Sequence, residues 1–516
     1  MKMLIAVPTR RSGPTRPLPT KSMAEIPHSR FHIDKLFIHN MNLYIHNYSG
    51  NWALTEDVRN LTTTCESNQR DETAFVIDRL ATMCTSVSAA PARVLDAARR
   101  TLADTIGAAA AGAATRAGQA SLKSAPLIWG SGDCGIWFSR RRSTAVGAAF
   151  VNATYAAALD LDDGHRKASG HPAAAIIPAV LACAEHKGAG ADAILTAIAL
   201  GYEVAVRVSS SREIGMLRTT DSGLWCGYGV AAATAWLYGV SADAMSHALA
   251  ISGQTSTSQA ATGFTRIGHT VKEGIPWATA NGIQAVILAN AGHRGPIDML
   301  DDADAYVRMG LVGVPGDAWA IESAYFKLYS CCRWAHAAID AALTLQVRMS
   351  LSSCDIDTIL VETFERALSL PNLPDPSTSE AAQYSIPFCM ALALVHGEQA
   401  LLPLKEEHLG DAAVVALARR IKLVSSKNYE HAFPASTPAR VTIVGKGQLD
   451  QQEVLSPRGE PLNPLTPEAL ETKFLALMEK SPFDKKQAMA LLEAAGRLGI
   501  DREPSDLYAA LRAGEP

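Results

Sequence analysis

The chain has 516 residues, 48% of them hydrophobic and 19% charged, with a formal net charge of −4. That length exceeds one ordinary core, so two domains are expected, and the composition excludes a disordered or membrane-embedded chain. The near-balanced charge argues against nucleic acid or an anionic membrane as the main partner, so a small anionic substrate has to be met by a local basic pocket.

Residues 1–24 hold Lys2, Arg10, Arg11, Arg16 and Lys21 with no acid. Pro8, Pro14, Pro17 and Pro19 spoil the amphipathic helix that an organelle presequence uses, so residues 1–71 read as a disordered or extraneous leader. A mitochondrial presequence is the alternative. No apolar core with a small-residue cleavage site follows, and no apolar run approaches the ~20 residues of a membrane span. The nine cysteines are odd in number and lack any Cys-x-x-Cys pair, which predicts neither a disulfide framework nor a thiolate zinc site. A reducing, cytoplasmic compartment is expected.

From about Glu72 the pattern turns helical. Val94, Ala98, Leu102 and Ile106 recur every four residues, predicting an amphipathic helix over 91–110 that opens on Pro91. Segments near 143–159, 175–187, 191–209, 228–238, 242–252 and 277–291 follow, rich in Ala and closed by Gly or a turn. They predict a compact all-helical domain over 72–325. Strands are expected at 357–364, 420–424 and 439–444, interleaved with helices at 380–396, 467–479 and 485–497. The expected fold is therefore mainly α: a large all-helical domain plus a smaller α+β lid over 326–480, with helices in 481–516 packing back on the helical domain.

The chemistry concentrates in three clusters. ALDLDDGHRKASGHP carries Asp160, Asp162 and Asp163, then His165, Arg166, Lys167 and His171. Pro172 and Pro178 mark the start of the next helix, which puts His171 at its N-terminus as a candidate proton acceptor. The competing readings are a polar loop or a loose Asp–His metal site. GFTRIGHTVKEGIPWATANG supplies Arg266, His269 and Lys272, and YFKLYSCCRWAHAAID supplies Lys327, Tyr329, Arg333 and His336. Each alone reads as a charged loop. Together they gather cations at the domain junction, where Arg forks and Lys point charges can clamp carboxylates.

RVLDAARRTLADTIGAAAAG, AAALDLDDGHRKASGHPAAAIIPAVLACAE, GYEVAVRV, HTVKEGIPWATANGIQAVILANAGHRGP and FKLYSCCRWAHAAIDAAL resemble, in order, blocks of the MmgE/PrpD family over residues 73–512. The resemblance implies a homodimer of helical domains carrying lids, with the site in the cleft between helical domain and lid. It also implies chemistry at a carbon beside a carboxylate, with no metal, no cofactor and no iron–sulfur cluster, which the scattered cysteines fit. Members include 2-methylcitrate dehydratases, cis-aconitate decarboxylases and iminodisuccinate epimerases. Carried over by position, the resemblance makes His171, Asp160, Asp163, Lys272 and Lys327 catalytic. Arg333, His336, His165, Lys167 and Thr220 are then expected to bind substrate. Thr219 and Thr220 stand where some relatives carry a histidine, Phe388 stands at a decarboxylase tyrosine, and Cys332 stands at a position that is His in the decarboxylase. These departures favour a metal-independent carbon–oxygen lyase acting on a small di- or tricarboxylate such as citrate or 2-methylcitrate. A decarboxylase, an epimerase and a silent polycarboxylate binder are the alternatives.

Overall fold

The computed structural model describes residues 74–256, 268–313, 315–316 and 318–512. The leader and Arg266 lie outside the described residues. A first body is built from α1 (Val76–Ser86), α2 (Ala92–Gly112), α3 (Arg116–Trp129), α4 (Ala145–Ala157), α5 (Ala173–Lys187), α6 (Ala191–Ser210), α7 (Cys226–Tyr238), α8 (Ala242–Gln254) and α9 (Ile275–Asn290). Val94, Ala98, Leu102 and Ile106 of α2 all face inward and are fully buried. Thr115, Thr144 and Ser241 start α3, α4 and α8 by accepting a hydrogen bond from the backbone N–H three residues on.

The small residues set how closely the helices pack. A Cβ on Gly201 of α6 would lie 2.7 Å from the Gly229 carbonyl of α7, and one on Gly229 only 2.4 Å from that of Gly201. The two backbones meet there, and any larger residue would force them apart. One described helix, α6, is long and apolar enough to cross a membrane, contrary to the reading that no run approaches that length. Of its apolar window, 83% is buried within the protein, so α6 serves as a core helix.

The second body centres on a four-stranded sheet of β1 (Ile356–Thr363), β2 (Ile421–Ser425), β3 (Ala439–Gly445) and β4 (Gln448–Val454), in the order β2-β1-β3-β4. β1 pairs parallel with β2 and antiparallel with β3, and β3 turns back through Lys446 and Gly447 into β4. Ile359, Val361, Val441 and Ile443 pack from the sheet into a core with α10 (His336–Arg348), α12 (Ile386–His396) and α13 (Ala412–Ala418).

Where the sequence predicts one helix over 380–396, the chain forms α11 (Ser379–Gln383), breaks at Tyr384–Ser385, and restarts as α12 with Pro387 in its first turn. Pro387 is tolerated in that first turn, where its missing N–H costs nothing, and Ser385, in an extended conformation, caps α12 by accepting from Phe388 N. The chain returns to the helical body at α14 (Pro467–Met478), whose Phe474 and Met478 are buried in the helical core. α15 (Lys485–Gly496) and α16 (Pro504–Leu511) pack on the same core through Leu491 and Leu507.

Candidate active site

His171 lies just ahead of α5, whose first turn Pro172 opens. Its Nδ1 is 2.7 Å from the Asp163 carbonyl oxygen. A carbonyl can only accept, so Nδ1 carries the hydrogen and the lone pair belongs to Nε2. Nε2 stands 3.8 Å from Asp160 Oδ1 and 3.9 Å from Glu273 Oε1.

Asp163 therefore positions the ring through its backbone. Its carboxyl is engaged elsewhere, accepting from Tyr202 Oη at 2.7 Å and from Ala173 N at 3.1 Å, where it caps α5. Burial pushes that carboxyl up to about 7, against the Tyr202 hydrogen bond.

Asp160 takes a left-handed backbone conformation, with φ of 55°. Its Oδ1 lies 3.2 Å from Lys327 Nζ and 3.4 Å from Lys272 Nζ. Burial alone would raise its pKa, but the two ammonium groups outweigh burial and hold it well below the usual carboxylate range. Lys327 is fully buried and also donates to the Asp160 carbonyl at 3.1 Å. Burial opposes its charge, yet the Asp160 and Asp162 carboxylates keep it raised above the ordinary lysine value. Asp162 is shifted the other way, raised mainly by burial, and neither of its carboxyl oxygens has a hydrogen-bond partner. Asp160 thus lies between the two lysine ammonium groups.

Lys272, Glu273 and Gly274 are three successive left-handed residues, with φ of 49°, 58° and 71°. Such conformations cost roughly 1–3 kcal/mol each for residues with a Cβ, so the neighbours must enforce them. Lys272 Nζ donates to Gln383 Oε1 at 2.8 Å and lies over the Tyr384 ring. Glu273 Oε2 accepts from Ser222 N at 3.0 Å and from Ser222 Oγ at 2.7 Å. Gly223 makes room for the turn, since a Cβ there would sit 2.5 Å from the Glu273 carbonyl oxygen.

His165, His171, Thr220 and Arg333 line the cleft, joined by Arg166, Glu273, Tyr325, Cys332, Trp334 and Tyr384. The cleft is narrow, with room for little beyond ordered water between these side chains. Burial, helped by the Lys167 charge, lowers His165 to about 4. Arg333 is turned toward protein partners: its Nε donates to Glu460 Oε1 at 2.8 Å and its Nη2 to the Arg458 carbonyl at 3.0 Å. Glu460 also pairs with Arg166, through Nε at 3.0 Å.

Two residues expected to bind substrate do not reach the cleft. Lys167 points outward and is exposed. His336 is buried behind Arg333, with Nδ1 at 2.9 Å from Arg333 Nη1 and Nε2 at 3.3 Å from the Cys331 carbonyl, so it holds the arginine in place. A larger cavity, about 650 Å³, lies beyond Glu460 between α2 and α14. It holds no histidine, and its buried charges are already matched, as in Lys473 with Asp104 at 2.5 Å. The smaller cleft is the one that gathers histidine, arginine and carboxylate side chains.

Sequence reading missed Glu273 and Tyr384. The first depends on a left-handed turn with no signature beyond its closing glycine. The second had a signal, since Tyr384-Ser385-Ile386-Pro387 is a helix break and places the tyrosine at the cleft. The cleft thus has a tyrosine from this stretch, although position 388 is Phe.

A base with a fixed tautomer beside a cationic corner can remove a proton from a carbon next to a carboxylate. Among the described residues, no three His, Cys, Asp or Glu side chains converge as metal ligands. Residues 78–313 match the MmgE/PrpD N-terminal domain, and residues 329–496 match the MmgE/PrpD C-terminal domain. A cis-aconitate decarboxylase of Aspergillus terreus is 25% identical over 389 residues, covering 68% of this chain and 78% of that protein. A cis-aconitate decarboxylase-like protein, oryM of Aspergillus oryzae, is 26% identical over 461 residues, covering 82% of this chain and 94% of that protein.

Proposed function

Because the chain belongs to the MmgE/PrpD family, we propose that it is a metal-independent hydro-lyase acting on a small di- or tricarboxylate such as citrate or 2-methylcitrate. The observation that carries this reading is the Nδ1 contact of His171 with the Asp163 carbonyl, which leaves Nε2 as a base beside the Lys272–Asp160–Lys327 corner. In the reaction, Nε2 takes the proton from the carbon next to a substrate carboxylate. Lys272 and Lys327 attract that carboxylate and stabilise the enolate-like charge as it forms. The C–O bond on the neighbouring carbon then breaks as the double bond closes, and the hydroxyl leaves as water with a proton from an acid at the cleft. Asp163 and Tyr202 act before any substrate arrives, by fixing the ring.

Arg166 and Arg333, matched by Glu460, form the opposite wall, where a second carboxylate competes with Glu460 for the guanidinium groups. A homodimer rests on the family resemblance, and a cytoplasmic location on the cysteine pattern; both belong to the same proposal.

Decarboxylation is the second reading, favoured by the relatives, two of which are a cis-aconitate decarboxylase and a decarboxylase-like protein. Against it stand Cys332 and Thr220 lining the cleft, neither of which replaces the acid–base capacity of an imidazole. Proton NMR of citrate, 2-methylcitrate, cis-aconitate and iminodisuccinate in deuterated water, with a chelator present, separates the readings. Dehydration with deuterium entering the carbon beside the carboxylate is the expected result. Loss of carbon dioxide supports the second reading, and exchange without net conversion an epimerase. Activity that returns only with one divalent ion overturns metal independence.

A further inference from the structure

Glu273 has no part in the mechanism above, yet its carboxyl faces the proton-transfer histidine across the cleft. Ser222 fixes Oε2 through both its backbone N–H and its hydroxyl, and Oε1 then stands 3.9 Å from His171 Nε2. The same serine hydroxyl accepts from the His171 backbone N–H at 3.0 Å, so one residue sets the spacing of both groups. Three consecutive left-handed residues keep the side chain there at an energetic cost that a surface turn would relax. With Oε2 taken up by the two Ser222 donors, Oε1 is the carboxyl oxygen left to face a substrate, and an acid there is placed to donate to an oxygen on the carbon next to the one His171 deprotonates.

We propose that Glu273 is the proton donor to the departing hydroxyl, so that the substrate is a β-hydroxy polycarboxylate seated with its hydroxyl toward Glu273 and its C–H bond toward His171. The assignment rests on the hydro-lyase reading and deepens it. In the step, His171 Nε2 accepts the proton from the carbon and that electron pair becomes the new C=C bond. The C–O bond breaks, and the oxygen leaves as water carrying the proton of the Glu273 carboxyl. The imidazolium and carboxylate that remain are close enough for one bridging water to return the proton and reset the site.

The test is Glu273→Gln, which keeps the size of the side chain and removes its acid. Dehydration of the hydroxy acid should fall roughly 10²–10⁴-fold, the usual contribution of a general acid. Deuterium exchange at the C–H bond, which needs only His171, should stay within about threefold of wild type. A substrate with fluorine in place of the hydroxyl loses fluoride without protonation, so the variant should eliminate it at close to the wild-type rate. That rescue also shows that the variant is folded. Wild-type dehydration by Glu273→Gln overturns the assignment and leaves the hydro-lyase reading standing. So does joint loss of exchange and of fluoride elimination, which makes Glu273 a support of the turn. If the wild type neither exchanges nor dehydrates any hydroxy acid, the hydro-lyase reading fails and this assignment fails with it.

Discussion

Lys327 Nζ lies 3.2 Å from Asp160 Oδ1 with its side chain wholly out of solvent, and Asp160 is the carboxylate that neutralises it. The family resemblance points to Lys327 as catalytic, while its side chain is wholly buried and is not among the groups lining the cleft. Asp160 supplies the counter-charge that a buried ammonium requires.

Asp160→Asn removes that counter-charge and little volume. An uncompensated buried ammonium should cost roughly 3–5 kcal/mol, read as a lower melting temperature and denaturant midpoint. The pH dependence has a definite sign. The folded-state pKa of Asp160 is depressed, so its stabilisation is present above the ordinary value of about 3.9 and is lost as pH falls below it. The wild type should therefore lose stability below about pH 4 that the variant no longer has to lose. Equal stability of the two proteins at pH 7 would show that Lys327 is neutralised by another group.

Asp163 titrates in the opposite sense. Its carboxyl is raised to about 7 by burial, so its stabilisation is fully present below the unfolded value and is lost as pH rises toward 7. Asp163→Asn mimics the protonated form at every pH. From about pH 4 to about pH 7 the wild type should lose stability that the variant retains. Parallel melting curves for the two proteins across that window would contradict the assignment.

Glu460 accepts from Arg166 of the helical body and Arg333 of the lid. Glu460→Gln leaves two guanidinium groups facing one another, and removing one partner of a buried ion pair costs about 3–5 kcal/mol. The expected result is a lower melting temperature together with faster amide hydrogen exchange in the lid strands. An unchanged exchange pattern would mean that Glu460 does not tie the lid down.

Much of the helical body was legible because its signal is local. The four-residue recurrence in α2 and the Ala- and Gly-rich runs of α4 to α9 state both helix and burial at once. β4 was not legible: QLDQQEV is polar on both faces, since the strand lies at the sheet edge and leans on β3 for pairing rather than on a core. His171, Asp160, Lys272 and Lys327, singled out in the sequence because their residue types announce charge chemistry, come together in the structure. Their order of contact was not legible, because depth is set by packing. Lys167 is two residues from His165 yet points to solvent, and His336 is three residues from Arg333 and lies behind it. Glu273 stayed hidden because nothing in Lys-Glu-Gly announces three left-handed residues in a row.

The central claim is that His171 moves the proton beside a substrate carboxylate. The most direct measurement compares wild type with His171→Gln, following both deuterium incorporation and product formation by NMR. The account predicts that exchange and turnover fall together by roughly 10²–10⁴-fold, with little change in KM, because proton transfer acts in the transition state. A His171→Gln variant that exchanges and turns over like wild type would contradict it, and would leave His171 as a residue that only shapes the entry to α5.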